Sequence, residues 1–100
     1  MYLSNKKWVD HPGSFIREEL EAREWSQSDL SYILGCSVQS VNLLVNEKKG
    51  ISPDMAKSLG VAFSVSPEFL SNLQKIYELS RAKEPSGEIG ERVKLRKKLN

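Results

Sequence analysis

A single cysteine, a single histidine and the lack of any long apolar run set the first limits on this 100-residue chain. Cys36 has no partner for an internal disulfide, so no covalent staple is available and a reducing, cytoplasmic setting is expected. Nothing approaches the roughly 18 apolar residues of a membrane span, or the charged-then-apolar layout of a signal peptide, and no membrane partner is expected. His11 and Cys36 together fall short of a metal site within one subunit, so neither a metal nor another cofactor is expected. The acidic run Glu18, Glu19, Glu21 and Glu24 is a solvated helical face rather than a catalytic carboxylate pair. No nucleophile–base pair can be assembled elsewhere, which argues against an enzyme.

Charge of one sign is also scarce through most of the chain. The formal net charge is +2, yet residues 1–84 hold 10 Lys+Arg against 11 Asp+Glu, whereas residues 85–100 hold 5 against 2. The positive excess therefore lies in the tail. Non-specific attraction to nucleic acid scales with the phosphates that cations neutralise, so any nucleic-acid function of the body must rest on a motif and not on bulk charge.

The length suits one domain with one modest core. Met1–Asp10, with Trp8 and Val9 among polar residues and no period, reads as a flexible N-terminal arm. His11-Pro12-Gly13 starts a first helix that runs to about Glu24, with Phe15, Ile16 and Leu20 on its apolar stripe. Ser26 is an N-cap with Asp29 at N3, and Trp25 and Leu30 form a hydrophobic staple. Leu30, Ile33 and Leu34 are expected to face inward before Gly35 ends the second helix. Cys36, read as a small buried hydrophobe, leads to a second cap at Ser37. From there Val41, Leu44 and Val45 repeat at helical spacing to about Asn46. Ser52-Pro53-Asp54 and Ser66-Pro67-Glu68 start two further helices, the last running to about Lys83. Glu84, Pro85, Ser86 and Gly87 then break the pattern. The basic tail 85–100 is expected to be flexible or a marginal last helix, or the start of a linker. No alternating strand pattern occurs. The expected architecture is all-α: a five-helix domain over 11–84 with an arm before it and a basic tail after it.

Two short helices joined through Gly35-Cys36-Ser37 are too tightly connected to fold back as an antiparallel hairpin, and that geometry is the helix-turn-helix. In such a unit the second helix enters the major groove by its N-terminal end. The groove-facing residues are expected to be Val38, Gln39, Ser40, Asn42 and Leu43. Gln39 and Asn42 carry the amides that pair bidentately with adenine, Val38 and Leu43 suit a thymine methyl, and Ser40 can add one hydrogen bond. Gln27, Ser37, Asn46, Lys48 and Lys49 are placed to hold phosphates, contacts that position without carrying sequence information. No Lys or Arg occurs from Ser26 to Asn46, so binding is expected to depend on amides, hydroxyls and helix dipoles, with a shallow salt dependence.

Over Trp8 to about Arg81 the chain resembles the HigA-type antitoxins, within the Xre/lambda-repressor-like helix-turn-helix group. The resemblance is carried by His11-Pro12-Gly13, Glu18-Glu19-Leu20-Glu21-Ala22-Arg23 and Trp25-Ser26-Gln27-Ser28-Asp29-Leu30. It continues in Asn46 with Lys48-Lys49-Gly50-Ile51-Ser52-Pro53, and in Ser66-Pro67-Glu68-Phe69 followed by Asn72-Leu73-Gln74. It implies a homodimer that represses its own operon at a palindromic operator and neutralises a RelE-like ribonuclease toxin. The chain departs from the pattern at Val38, Leu43 and Glu47, where relatives often carry Pro, Arg and Gly. The tail resembles the linker that leads, in longer relatives, into a further domain.

Two functional readings follow. One is a DNA-binding autorepressor. The other is a protein-interaction module in which the helix-turn-helix is only a scaffold for toxin neutralisation, or the N-terminal DNA-binding domain of a longer regulator without a toxin partner. Phe69, Leu73, Ile76 and Tyr77 serve either the core or a dimer interface. Arg92, Lys94, Arg96, Lys97 and Lys98 either touch nucleic acid or keep the end soluble.

Overall fold

A computed structural model describes residues 9–99, and within them six helices and no strand. They are α1 (Pro12–Arg23), α2 (Gln27–Leu34), α3 (Val38–Val45), α4 (Pro53–Phe63), α5 (Pro67–Arg81) and α6 (Gly87–Leu99). The expected Met1–Asp10 arm falls largely outside the described residues. Within them Val9 is buried at 6% exposure and Asp10 is exposed.

Local chemistry starts each of the first five helices. The His11 imidazole caps α1, its Nδ1 accepting from the Gly13 N–H at 2.9 Å. Ser26 and Asp29 form a reciprocal capping box at α2, with bonds of 3.0 and 2.8 Å. Ser37, Ser52 and Ser66 each accept from the backbone N–H three residues on, and Pro53 and Pro67 occupy the first helical turn, where a missing N–H costs nothing. Gly35 ends α2 with φ of 71°, the left-handed conformation that costs an L-residue most.

Between these caps, one side of each helix closes a single core of Ile16, Leu20, Leu30, Val41, Leu44, Val45, Ile51, Ala56, Leu59, Phe63 and Leu70. Each large side chain buried there contributes about 1.5–3 kcal/mol. The N-terminal turn of α1 abuts the C-terminal end of α3 so closely that a Cβ on Gly13 would lie 2.2 Å from the Leu44 carbonyl oxygen. Only glycine permits that approach. Two expectations for the core change. Ile33 is 44% exposed, because Leu30 and Ser31 occupy the inner side of α2. Cys36 is only half-buried, packed against the core rather than within it.

The helix count also changes, from five to six. Ser86 accepts from the Glu88 N–H at 3.1 Å, and Glu88–Arg92 and Glu91–Lys94 pairs line the surface of the helix that follows. The basic tail is therefore helical over Gly87–Leu99, while α5 stops at Arg81 instead of near Lys83. Every residue from 87 to 97 is exposed. The radius of gyration is 18.2 Å, against about 13 Å for a compact chain of this length, which places α6 off the body rather than on it.

Candidate nucleic-acid interface

α3 divides lengthwise. Val41, Leu44 and Val45 hold its inner side in the core. At 3.6 residues per turn, the outer side runs in angular order Val38, Asn42, Gln39, Leu43, spanning roughly 140°. All four are exposed, Val38 to 45% and Leu43 to 42%. Ser40 lies at the edge of this face, half-buried, with its N–H donating to Ser37 Oγ and its Oγ accepting from the Ser37 hydroxyl, both at 3.1 Å. Ser37 is thus already occupied as the cap of α3.

α2 lies across the back of this helix and supplies one side chain to the outer face. Gln27, half-buried in the first turn of α2, accepts through Oε1 from Asn42 Nδ2 at 3.1 Å. Two residues fifteen apart in sequence thereby form one amide unit across the helix pair. The connection is kept tight by Gly35 and Cys36, whose N–H groups donate back to Tyr32 and Ser31 carbonyls at 3.2 and 3.0 Å. Asp29 is the only charged side chain from Ser26 to Asn46, and it is held in its capping box, so the outer face of α3 is uncharged.

Beyond α3, Asn46, Lys48 and Lys49 are exposed on the turn that follows. Glu47 sits there at φ of 62°, and the Lys48 N–H donates to the Leu43 carbonyl at 2.8 Å. Of the ten residues picked from the sequence, Val38, Asn42, Gln39 and Leu43 share the outer side of α3, Gln27 is bonded to Asn42 and Ser37 to Ser40, and Asn46, Lys48 and Lys49 are exposed after the helix.

The roles of three residues that set this geometry escaped the sequence reading. Arg17 of α1 donates to the Val45 carbonyl and lies 3.6 Å from Glu47, capping the C-terminal end of α3 from another helix. Arg23 does the same for α4 through the Phe63 carbonyl at 2.9 Å. Gln74 of α5 accepts from the Ile51 N–H at 2.7 Å, fixing the chain after the Lys48–Lys49 turn. Burial pushes the His11 imidazole below its ordinary pKa, and the nearby Glu47 charge partly opposes that shift. No cluster able to hold a metal ion occurs among the described residues.

The sequence of this unit matches a known family. The helix-turn-helix family model covers residues 16–70, a span that includes α2 and α3 entirely. An antitoxin HigA from Pseudomonas aeruginosa, solved with the higBA promoter, superposes with a TM-score of 0.70 at 41% identity, over 72% of this chain and 79% of that one. An addiction-module antidote protein of the HigA family from Coxiella burnetii gives 0.69 at 32% identity, over 72% and 79%. The chain belongs to the HigA-type helix-turn-helix family. Membership of this family makes it a regulator rather than an enzyme. A Pseudomonas aeruginosa structure solved in complex with its operator DNA (18 bp) superposes with a TM-score of 0.69 at 42% identity, over 71% of this chain and 76% of that one. Virulence-associated protein A' of Dichelobacter nodosus is 35% identical over 75 residues, and this chain spans 65% of its length. No helix among the described residues is long and apolar enough to cross a membrane.

Proposed function

We propose that this HigA-type protein is a sequence-specific DNA-binding repressor that serves as the antitoxin of a type II toxin–antitoxin module, with α3 as the reading helix. The observation that carries the reading is the outer face of α3, where two exposed amides, Gln39 and Asn42, are bracketed by two exposed apolar side chains, Val38 and Leu43. An amide offers the paired donor and acceptor that adenine requires, and an apolar side chain matches a thymine methyl. Gln27 Nε2, Asn46, Lys48 and Lys49 meet flanking phosphates, and the free N–H groups at the start of α3 add to this hold. Relatives solved with operator or promoter DNA support the DNA-binding part of this reading.

The protein acts as a homodimer on a palindromic operator in the cytoplasm. The dimer face is the open groove of about 450 Å³ between α1 and α5, lined by Val9, Pro12, Phe15, Leu73 and Ile76, with Asp10 and Glu18 at its edge and Phe69 exposed beside it. Its toxin partner is a RelE-like ribonuclease. A mobility-shift titration on DNA from upstream of its own gene, with and without the product of the adjacent reading frame, tests both parts. A shift abolished by Gln39→Ala plus Asn42→Ala supports reading by α3, and a shift altered by the second protein supports the toxin partner. Operator binding unchanged in the double variant would rule α3 out as the reader. A second reading, a protein-interaction module or the front domain of a longer regulator, is favoured by the near-neutral body. The interaction module predicts no specific shift, whereas the front domain of a longer regulator predicts a shift that the second protein leaves unaltered.

A further inference from the structure

We infer that the outer face of α3 senses the C5-methyl group of pyrimidines, so that operator recognition responds to thymine methyls and to 5-methylcytosine alike. The inference rests on the DNA-reading function proposed above and deepens it.

Val38 and Leu43 are apolar, exposed and not needed by the core, which takes Val41, Leu44 and Val45 from the opposite side of the same helix. They stand at the two borders of the face, each beside an amide at i,i+4 spacing: Val38 next to Asn42, and Gln39 next to Leu43. One of those amides has a set orientation. Asn42 Nδ2 gives one hydrogen to Gln27 Oε1, which turns Asn42 Oδ1 and the remaining N–H outward. One acceptor with one donor is the pattern that fits the N6 donor and N7 acceptor of adenine. Adenine's partner then presents its methyl in the same major groove, where an apolar side chain next to the amide meets it.

Charge cannot substitute for this contact, because no Lys or Arg lies between Ser26 and Asn46. Hydrogen bonds from the amides and burial of the two apolar side chains must therefore supply most of the discrimination. A cytosine bearing a C5-methyl offers Leu43 or Val38 the same carbon as thymine, and neither side chain can hydrogen-bond to the O4 or N4 that tells the two bases apart. Burying one methyl is worth about fourfold in affinity (~0.8 kcal/mol).

The test uses the full chain and a duplex spanning the region upstream of its own reading frame, in three forms: unmodified, with uracil replacing thymine one position at a time, and with single cytosines 5-methylated. Binding is read by fluorescence anisotropy. Loss of about fourfold at one or more thymine-to-uracil positions, removed by Leu43→Ala or Val38→Ala, supports the inference. So does tighter binding when a single cytosine is 5-methylated, provided the gain is removed by the same variants. Because both side chains are exposed, the variants should keep their circular dichroism. Specific binding indifferent to uracil at every position would overturn methyl sensing while leaving the DNA-reading function intact. A uracil effect that persists in Val38→Ala plus Leu43→Ala would also overturn it. No specific binding by the unaltered chain would overturn the underlying DNA reading itself.

Discussion

Replacing Gln27 with alanine removes a side chain that touches the reading face through Asn42. The 3.1 Å bond from Asn42 Nδ2 to Gln27 Oε1 is exposed, so its loss should cost the free protein no more than about 0.5–1 kcal/mol. On DNA the expected effect is larger. A bidentate amide–adenine pair discriminates by about 1–3 kcal/mol, and without Gln27 the Asn42 amide is free to rotate and offer either edge. Gln27 Nε2 also leaves a phosphate. Operator affinity should fall about tenfold, ~1.4 kcal/mol. About half of that loss should vanish when Asn42 is already alanine, giving a coupling energy of ~0.5–1 kcal/mol in the double-mutant cycle. Anisotropy titrations of the four proteins on operator duplexes, with each base tested at the position sensitive to Asn42, supply both numbers. Strict additivity would refute the coupling. Guanine as the preferred base at that position would refute the amide orientation, since it asks for two donors.

Three further outcomes are expected. Glu47→Gly should raise stability by about 1 kcal/mol in urea unfolding. It relieves a left-handed residue, worth ~1–2 kcal/mol, against loss of a half-exposed pair with Arg17, worth ~0.2–1 kcal/mol; net destabilisation would show that the pair dominates. The folded protein holds His11 below its ordinary pKa of 6.5 by burial. The unfolded chain therefore takes up the proton first as pH falls, so stability should be full above about pH 6.5 and decline below it, and His11→Asn should flatten that decline in urea midpoints between pH 7.5 and 5.5. With Lys48 and Lys49 as the cations next to the face, a dimer neutralises about four phosphates, and log affinity against log salt should slope about −4. A slope near −10 would mean that cations elsewhere, such as those of α6, hold the DNA.

The candidate site was legible because its signals are local. Ser26 with Asp29, Gly35 and Ser37 each act within four residues, and together they set the start and end of α2 and the start of α3; the end of α3, expected near Asn46, falls at Val45. The outer face of α3 followed from helical spacing once those ends were known. Ile33 was misplaced because its neighbours Leu30 and Leu34 fit the same stripe, and eight residues are too few for spacing to show which side a helix will present. The sixth helix was under-read for a different reason. Its apolar residues are too sparse to mark a buried stripe, and it buries none of them.

Taken alone, the sequence determined where the helices of the body begin, that two of them form a helix-turn-helix, and which side chains α3 turns outward. Capping, proline placement and 3.6-residue spacing act over a few residues, so they can be read without a fold. Tertiary structure alone decided how α3 is held. Its C-terminal carbonyl is capped by Arg17, 28 residues away; the turn beyond it is fixed by Gln74, 23 residues from Ile51; and Asn42 is oriented by Gln27 from the neighbouring helix. These partners are joined only when the chain closes around its core. No local signal marks Arg17 or Gln74, because a hydrogen bond to a distant backbone atom places no demand on the residues beside it in sequence.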